Sequence, residues 1–234
     1  MVLNIQIHPQ KQISPMMFDE KSLNWLDIFS QWYMVLPLTV IIFRWKTFDI
    51  IHRRVSYYVF FNIGFAIVTK IFAELKINNY FLFYFASPLM LWFIYRIFEP
   101  SIGMFKMWIY IKMLVVGFAI FVLIDMIWIE DFLKIFPENI YPPQEIILLF
   151  IIYYYLYVFS KEARQDFSLL FISIGIGLYA LIILFILIYN PYLGFVPNTL
   201  GYFIWAGIGS FAEILTNSFI SYGLYIARPK SVNQ

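Results

Sequence analysis

An all-α, polytopic transmembrane helix bundle is the fold class predicted by three features of the chain. The sequence is 62% hydrophobic and only 13% charged, whereas a soluble domain averages roughly 45–50% apolar and about 25% charged residues. Uncharged runs of about 15–20 residues recur along it, and a helix of that length crosses about 30 Å of hydrocarbon. The segment from residue 167 to 212 carries no charge at all, enough for one span, a short loop and half of another. Lys and Arg are also unevenly shared between the two sets of alternate loops, as membrane proteins require.

Seven spans are expected, within one membrane domain at residues 23–227. A polar N-terminal tail at 1–22 and a short C-terminal tail at 228–234 flank it. The first tail mixes Pro9, Pro15, Lys11, Asp19, Glu20 and Lys21 and lacks the basic start and apolar centre of a cleavable signal peptide. The first span, about 24–43, has Trp25, Trp32 and Tyr33 toward one end and Trp45 at the other, as aromatic belts do. Pro37 is expected to kink it. The loop after it, from Arg44 to Arg54, is the most basic piece of the chain. It is too short and too tethered for nucleic acid, and suits anionic lipid headgroups.

The second span, about 55–73, carries Asn62 near its middle and Lys70 near its end. Asn78-Asn79 is a turn signal. The third, about 80–98, contains Ser87-Pro88, and Glu99-Pro100 is expected to close it as a loop. The fourth, about 107–128, needs Lys112 to snorkel and Asp125 to reach the outer headgroups, with Trp108 and Trp128 at the two interfaces. The fifth, about 143–159, starts after Tyr141-Pro-Pro143, and Glu145 is expected in its first turn, where the helix dipole favours an acid. Tyr153, Tyr154, Tyr155 and Tyr157 read as bulk and interface. The sixth, about 167–189, contains Gly175, Gly177 and Tyr179 and ends at Asn190-Pro191. Pro197-Asn198 precedes the seventh, about 199–226.

This count places the N-terminus outside and the C-terminus in the cytoplasm. Of the 16 basic residues, only Lys11, Lys21, Lys70, Lys76 and Lys134 fall on the outer side. The remaining 11 border the inner loops and the C-terminal tail, which satisfies the positive-inside rule.

The chemistry concentrates in the last span. Ala206, Ser210, Glu213, Asn217 and Ser221 recur at intervals of three and four, so they share one helix face. An ionisable group at the bilayer centre costs about 2.5–3.5 kcal/mol on insertion scales for Asp, Lys and Arg, and intramembrane carboxylates are functional candidates by default. The face must point into the bundle. Gly207 and Gly209 beside it are expected to admit a close helix neighbour. Candidate companions for Glu213, Asn217 and Ser210 at similar depth are Asn62, Ser87, Tyr179, and Tyr153 or Tyr154. No Lys or Arg is placed there, so Glu213 is expected to be protonated or hydrogen-bonded. The face reads either as helix-to-helix glue or as a ligand or proton site.

Several activities are excluded or disfavoured. There is no cysteine, hence no disulfide, thiolate metal site or cysteine nucleophile. His8 and His52, the only histidines, are assigned to a tail and a loop, so neither a metal set nor a Ser/His pair is expected in the membrane. No Gly-x-Ser-x-Gly elbow or Walker loop occurs. The last helix holds no lysine in its membrane part for a retinal Schiff base. No cofactor is expected, and one carboxylate without a visible base, nucleophile or metal disfavours an enzyme.

At Asn78-Asn79-Tyr80, Tyr84, Pro88 and the Gly/Ser-rich last helix, the chain resembles a loose family of bacterial seven-helix integral membrane proteins, some encoded near sensor kinases. The resemblance implies the fold, a bacterial inner membrane and a link to signalling. Family members carry a glutamate soon after the third-helix proline. Here Leu89 and Met90 stand in that stretch, so no role of that glutamate transfers.

Two functions are therefore expected. One is a sensory or interaction subunit, which senses a ligand within the bundle and acts through a membrane signalling protein. The other is a small proton- or cation-coupled carrier or channel using Glu213, although no internal repeat is visible. The partners are the lipid bilayer and that signalling protein, not nucleic acid; an oligomer is compatible with either function. Reporter fusions at Lys134 and Gln234 are predicted to report opposite sides of the membrane; the same side for both would remove the seven-span count.

Overall fold

The computed structural model describes residues 28–30, 32–102, 107–129, 139–161, 166–193 and 200–228. The two tails at 1–22 and 229–234, Trp25, and the loop residues 130–138 and 197–198 lie outside them. The described residues are 91% helical, without a strand. Seven helices follow one another: α1 Val35–Arg44, α2 Ile50–Glu74, α3 Tyr80–Ile102, α4 Met107–Ile124, α5 Tyr141–Phe159, α6 Phe167–Leu193 and α7 Leu200–Ile226. Among the described residues, six stretches are long and apolar enough to cross a membrane, beginning with Ile28–Thr47 and ending with Phe167–Ile188. The chain is thus a multi-pass membrane protein. α7 is 27 residues long and carries Ser210, Glu213, Thr216, Asn217, Ser218 and Ser221 among its apolar residues.

Local chemistry moves several expected boundaries. The helical path turns at Met34 before α1 resumes; Pro37 has no N–H to bond one turn back. α2 begins at Ile50 rather than after the basic cluster, because the Asp49 carboxylate accepts the backbone N–H of His52 at 2.9 Å and caps the helix. His52, Arg53 and Arg54 are therefore helical, not loop. α3 continues through Glu99 and Pro100 to Ile102. α6 likewise runs past Asn190-Pro191 to Leu193. Asp125, expected at the outer headgroups, is fully buried within the protein, in a π-helical turn at Asp125–Ile129.

Six helices close a ring. α1 packs on α7, α7 on α6, α6 on α5, α5 on α3, α3 on α2, and α2 on α1. α4 stands outside it, in the groove between α3 and α5. Trp108 of α4, expected at an interface, stacks on Tyr95 of α3 at 4.6 Å.

Packing is uneven along the ring axis. The buried residues of α2 are His52, Val55, Ser56, Tyr58 and Val59, all in its first ten positions. At the same end Leu91, Ile94, Ile97 and Phe98 of α3, Ile151 and Val158 of α5, and Ile172 of α6 are shielded completely. Beyond Val59 the residues of α2 are half-buried or exposed, so the ring opens toward the end that carries Glu74, Tyr80 and Tyr141.

Three polar ties lock the dense end. The Arg44 guanidinium donates to the carbonyls of Leu224 at 3.1 Å, Ala227 at 2.6 Å, and Tyr225. It satisfies the free carbonyls of α7 and sits at the negative end of its dipole. Arg54 and Arg96 both pair with Glu99, at 3.3 and 2.6 Å. The third tie joins Asp49, His52 and Ser168: His52 Nδ1 lies 2.7 Å from Asp49 Oδ1, and Nε2 lies 2.7 Å from Ser168 Oγ. Ser168 also donates to the Gly223 carbonyl at 2.7 Å. With Nδ1–H directed at the carboxylate, Nε2 and that carbonyl compete for one hydroxyl proton. Burial works to raise the Asp49 carboxyl, but the hydrogen bonds from the His52 ring and backbone outweigh it and hold it below its ordinary value. The absence of a Ser/His pair expected from sequence is thus corrected: His52 and Ser168 meet because α2 starts early. Both are buried, with the hydroxyl held against the α6–α7 contact, which makes the trio a structural tie.

Close helix approach occurs at Gly175 and Gly223, not at Gly209. A Cβ on Gly209 would meet nothing within 4 Å. One on Gly223 would lie 2.6 Å from Ile172 Cγ1 and 2.7 Å from the Ser168 carbonyl oxygen, and one on Gly175 would lie 2.6 Å from Phe219 Cβ. Small residues let these two backbones meet, and van der Waals contact then holds them. Gly223→Ala is predicted to cost about 1–3 kcal/mol through overpacking. Gly209→Ala is predicted to be neutral or slightly stabilising, since alanine is the better helix former. Thermal melts of both variants in one detergent check this; equal midpoints would show that the contact does not carry the packing.

Candidate functional site

Where the ring opens, it encloses a cavity of about 310 Å³. Each helix of the ring from α2 onward lends it one stripe at helical spacing, with Met34 at the head of α1. The stripes are Tyr58, Asn62, Ala66 and Thr69 of α2; Phe83, Ser87 and Met90 of α3; Tyr141, Gln144, Glu145 and Leu148 of α5; Ile176, Tyr179 and Ile183 of α6; and Glu213, Thr216, Asn217 and Ile220 of α7. No residue of α4 contributes. From Tyr58 to Thr69 the α2 stripe covers about 16 Å at 1.5 Å per residue.

Two carboxylates face this space. Glu145 is 2% exposed. Its Oε1 accepts from Gln144 Nε2 at 3.2 Å, while Oε2 is buried without a hydrogen-bond partner among the described residues. Gln144 in turn accepts the Ser87 hydroxyl proton through its Oε1, so α3 and α5 are joined by a relay from Ser87 through Gln144 to Glu145. Glu213 approaches from α7. Tyr179 lines the same cavity, within electrostatic reach of both acids. Tyr58 is hydrogen-bonded to Asn62 and also lies within reach of the Glu145 charge. Thr216 Oγ1 lies 3.1 Å from the Gly175 carbonyl and 2.8 Å from the Ala212 carbonyl, which binds the wall of α7 to α6. The described lining residues include no Lys, Arg or His.

The residues singled out from sequence fare unequally. Glu213, Asn217, Asn62, Ser87 and Tyr179 line the one cavity. Ser210 is buried on α7 but is not part of the lining. Ser221 turns back on its own helix and donates to the Asn217 carbonyl at 2.5 Å. Of the two tyrosines offered as companions, Tyr153 is exposed on the outside of the bundle and Tyr154 is buried elsewhere. Glu145 was missed as a site residue. α5 begins at Tyr141, so Glu145 lies beyond the first turn and turns inward instead of capping. Tyr141, Gln144, Glu145 and Leu148 repeat at three and four, the same signal that exposed the face of α7.

Among the described residues, no group of three or more His, Cys, Asp or Glu is placed to hold a metal ion. No family model, curated protein or solved structure matches the chain, so the resemblance noted above rests on its sequence features.

A buried carboxylate oxygen without a partner is a cost that folding alone does not reward. Polar groups kept at such a cost mark function more often than stability. Glu145→Leu is accordingly predicted to leave the melting midpoint unchanged or raised. A drop equivalent to about 2 kcal/mol or more would identify Glu145 as structural glue, because breaking a needed buried polar contact costs that much.

Proposed function

We propose that this protein is a seven-span protein of the bacterial inner membrane, N-terminus outside and C-terminus cytoplasmic, that binds a small ligand in its cavity as a sensory subunit. The observation that carries this reading is the unpartnered Glu145 oxygen in a half-open cavity within the ring that also holds Glu213. Pockets for small molecules bury most of the ligand against apolar walls and fix it with a few polar groups. Here the walls are Ile63, Leu148, Ile176 and Ile220, and the polar groups are the two acids, Asn62, Gln144 and Asn217.

In the proposed orientation the cavity lies in the outer half, because the basic residues Arg44, Arg53, Arg54 and Arg96 sit at the dense end. The dense end favours sensing over transport. A carrier must open its site to both sides in turn, and here the inner end is packed with shielded aliphatic side chains and locked by three polar ties. A sensory subunit passes its state to a membrane signalling protein through a surface, and needs no second opening.

A second reading has one specific observation in its favour. Two acids share the cavity, and carboxylates within a membrane domain mark the ion and proton pathways of carriers. Proteoliposome flux separates the two. A sensory subunit is predicted to give no proton or cation flux above empty liposomes, in wild type or in Glu213→Gln. Flux in wild type that disappears in Glu213→Gln would establish the carrier instead.

A further inference from the structure

The cavity's chemistry narrows its ligand, given the reading of the cavity as a ligand site. Its described lining carries two carboxyl groups and no basic side chain. An anion would meet like charge in a low-dielectric space, where repulsion is weakly screened. A neutral ligand can donate a hydrogen bond to the free Glu145 oxygen, but only a cation also balances two acids that have no basic side chain beside them among the described lining residues. A bare metal ion is far smaller than about 310 Å³, and no metal-holding set of side chains stands there among the described residues. A proton would neutralise an acid but fill nothing. The remaining class carries a positive charge on an organic body. Three tyrosines, Tyr58, Tyr141 and Tyr179, surround the acids, and aromatic rings attract ligand cations, quaternary ammonium groups above all. The aliphatic wall of Ile63, Leu148 and Ile176 offers the alkyl part an apolar bed.

We propose that the cavity binds a small organic ammonium cation, held between the carboxylates of Glu145 and Glu213 among the tyrosines Tyr58, Tyr141 and Tyr179. The cation supplies Glu145 with the charge and hydrogen-bonding partner that no described residue provides.

The chain has no cysteine, so Ala66→Cys, a small change in the α2 wall, provides a single reporter thiol. The full-length variant in nanodiscs is treated with a small neutral methanethiosulfonate. The probes are choline and butylammonium, each set against an uncharged analogue, dimethylbutanol and butanol. The expected result is that a cation slows modification about tenfold or more at saturation, a readily resolved difference in occupancy. The uncharged analogues have little effect. Glu145→Gln and Glu213→Gln, isosteric and read by the same thiol, remove the protection, each variant being compared with its own unprotected rate. A reactive thiol that neither cation protects better than its analogue would overturn the ammonium assignment and leave the ligand cavity standing. A thiol that does not react at all would overturn both. The comparison of cation with analogue needs no acid variant, so a misfolded Glu→Gln protein does not blunt the test.

Discussion

Hydrocarbon offers a polar group no hydrogen bond, and each one left unsatisfied at membrane depth costs several kcal/mol. Nearly every arrangement in this protein answers to that constraint. Arg44 reaches across from α1 to quench the last carbonyls of α7. Asp49, His52 and Ser168 hand hydrogen bonds from the start of α2 to the Gly223 carbonyl. Arg54 and Arg96 converge on Glu99. Because these ties link helices far apart in sequence, satisfying them closes the ring. The glycine contacts at Gly175 and Gly223 then let α6 and α7 approach closely enough for Thr216 and Ser168 to bond across.

Concentrating the ties at one end leaves the other end free to open. There the polar side chains of the ring face one another over a cavity rather than a packed core. The relay from Ser87 through Gln144 to Glu145 satisfies all but one of its acceptors. α4 takes no part in this. It is strongly apolar, and it joins the ring from outside through the Tyr95–Trp108 stack.

The face of α7 was legible in the sequence because a single helix carries the whole signal: polar residues at three and four inside an apolar segment. Glu145 was hidden by position. An acid near a proline-led helix start has a ready explanation in the dipole, and only the true start at Tyr141 removes it. His52 was hidden by its neighbours, since a run of basic residues reads as loop. The cue was Asp49, three residues earlier, at N-cap spacing. Gly209 misled for a different reason. Glycine reports that a close approach is permitted, but the contact needs a partner, and that lies at Gly175 and Gly223.

By itself the sequence determined what depends on the local chain. Composition demands a membrane, periodicity demands helices, and the spacing of Glu213 and Asn217 demands that one face of α7 turn inward. Only the tertiary structure decided which helices form the ring, that α4 is excluded from it, and that Glu145 meets Glu213 around one cavity. Those outcomes turn on contacts between residues tens to hundreds of positions apart. Helical periodicity says which side of a helix is buried but not which neighbour buries it.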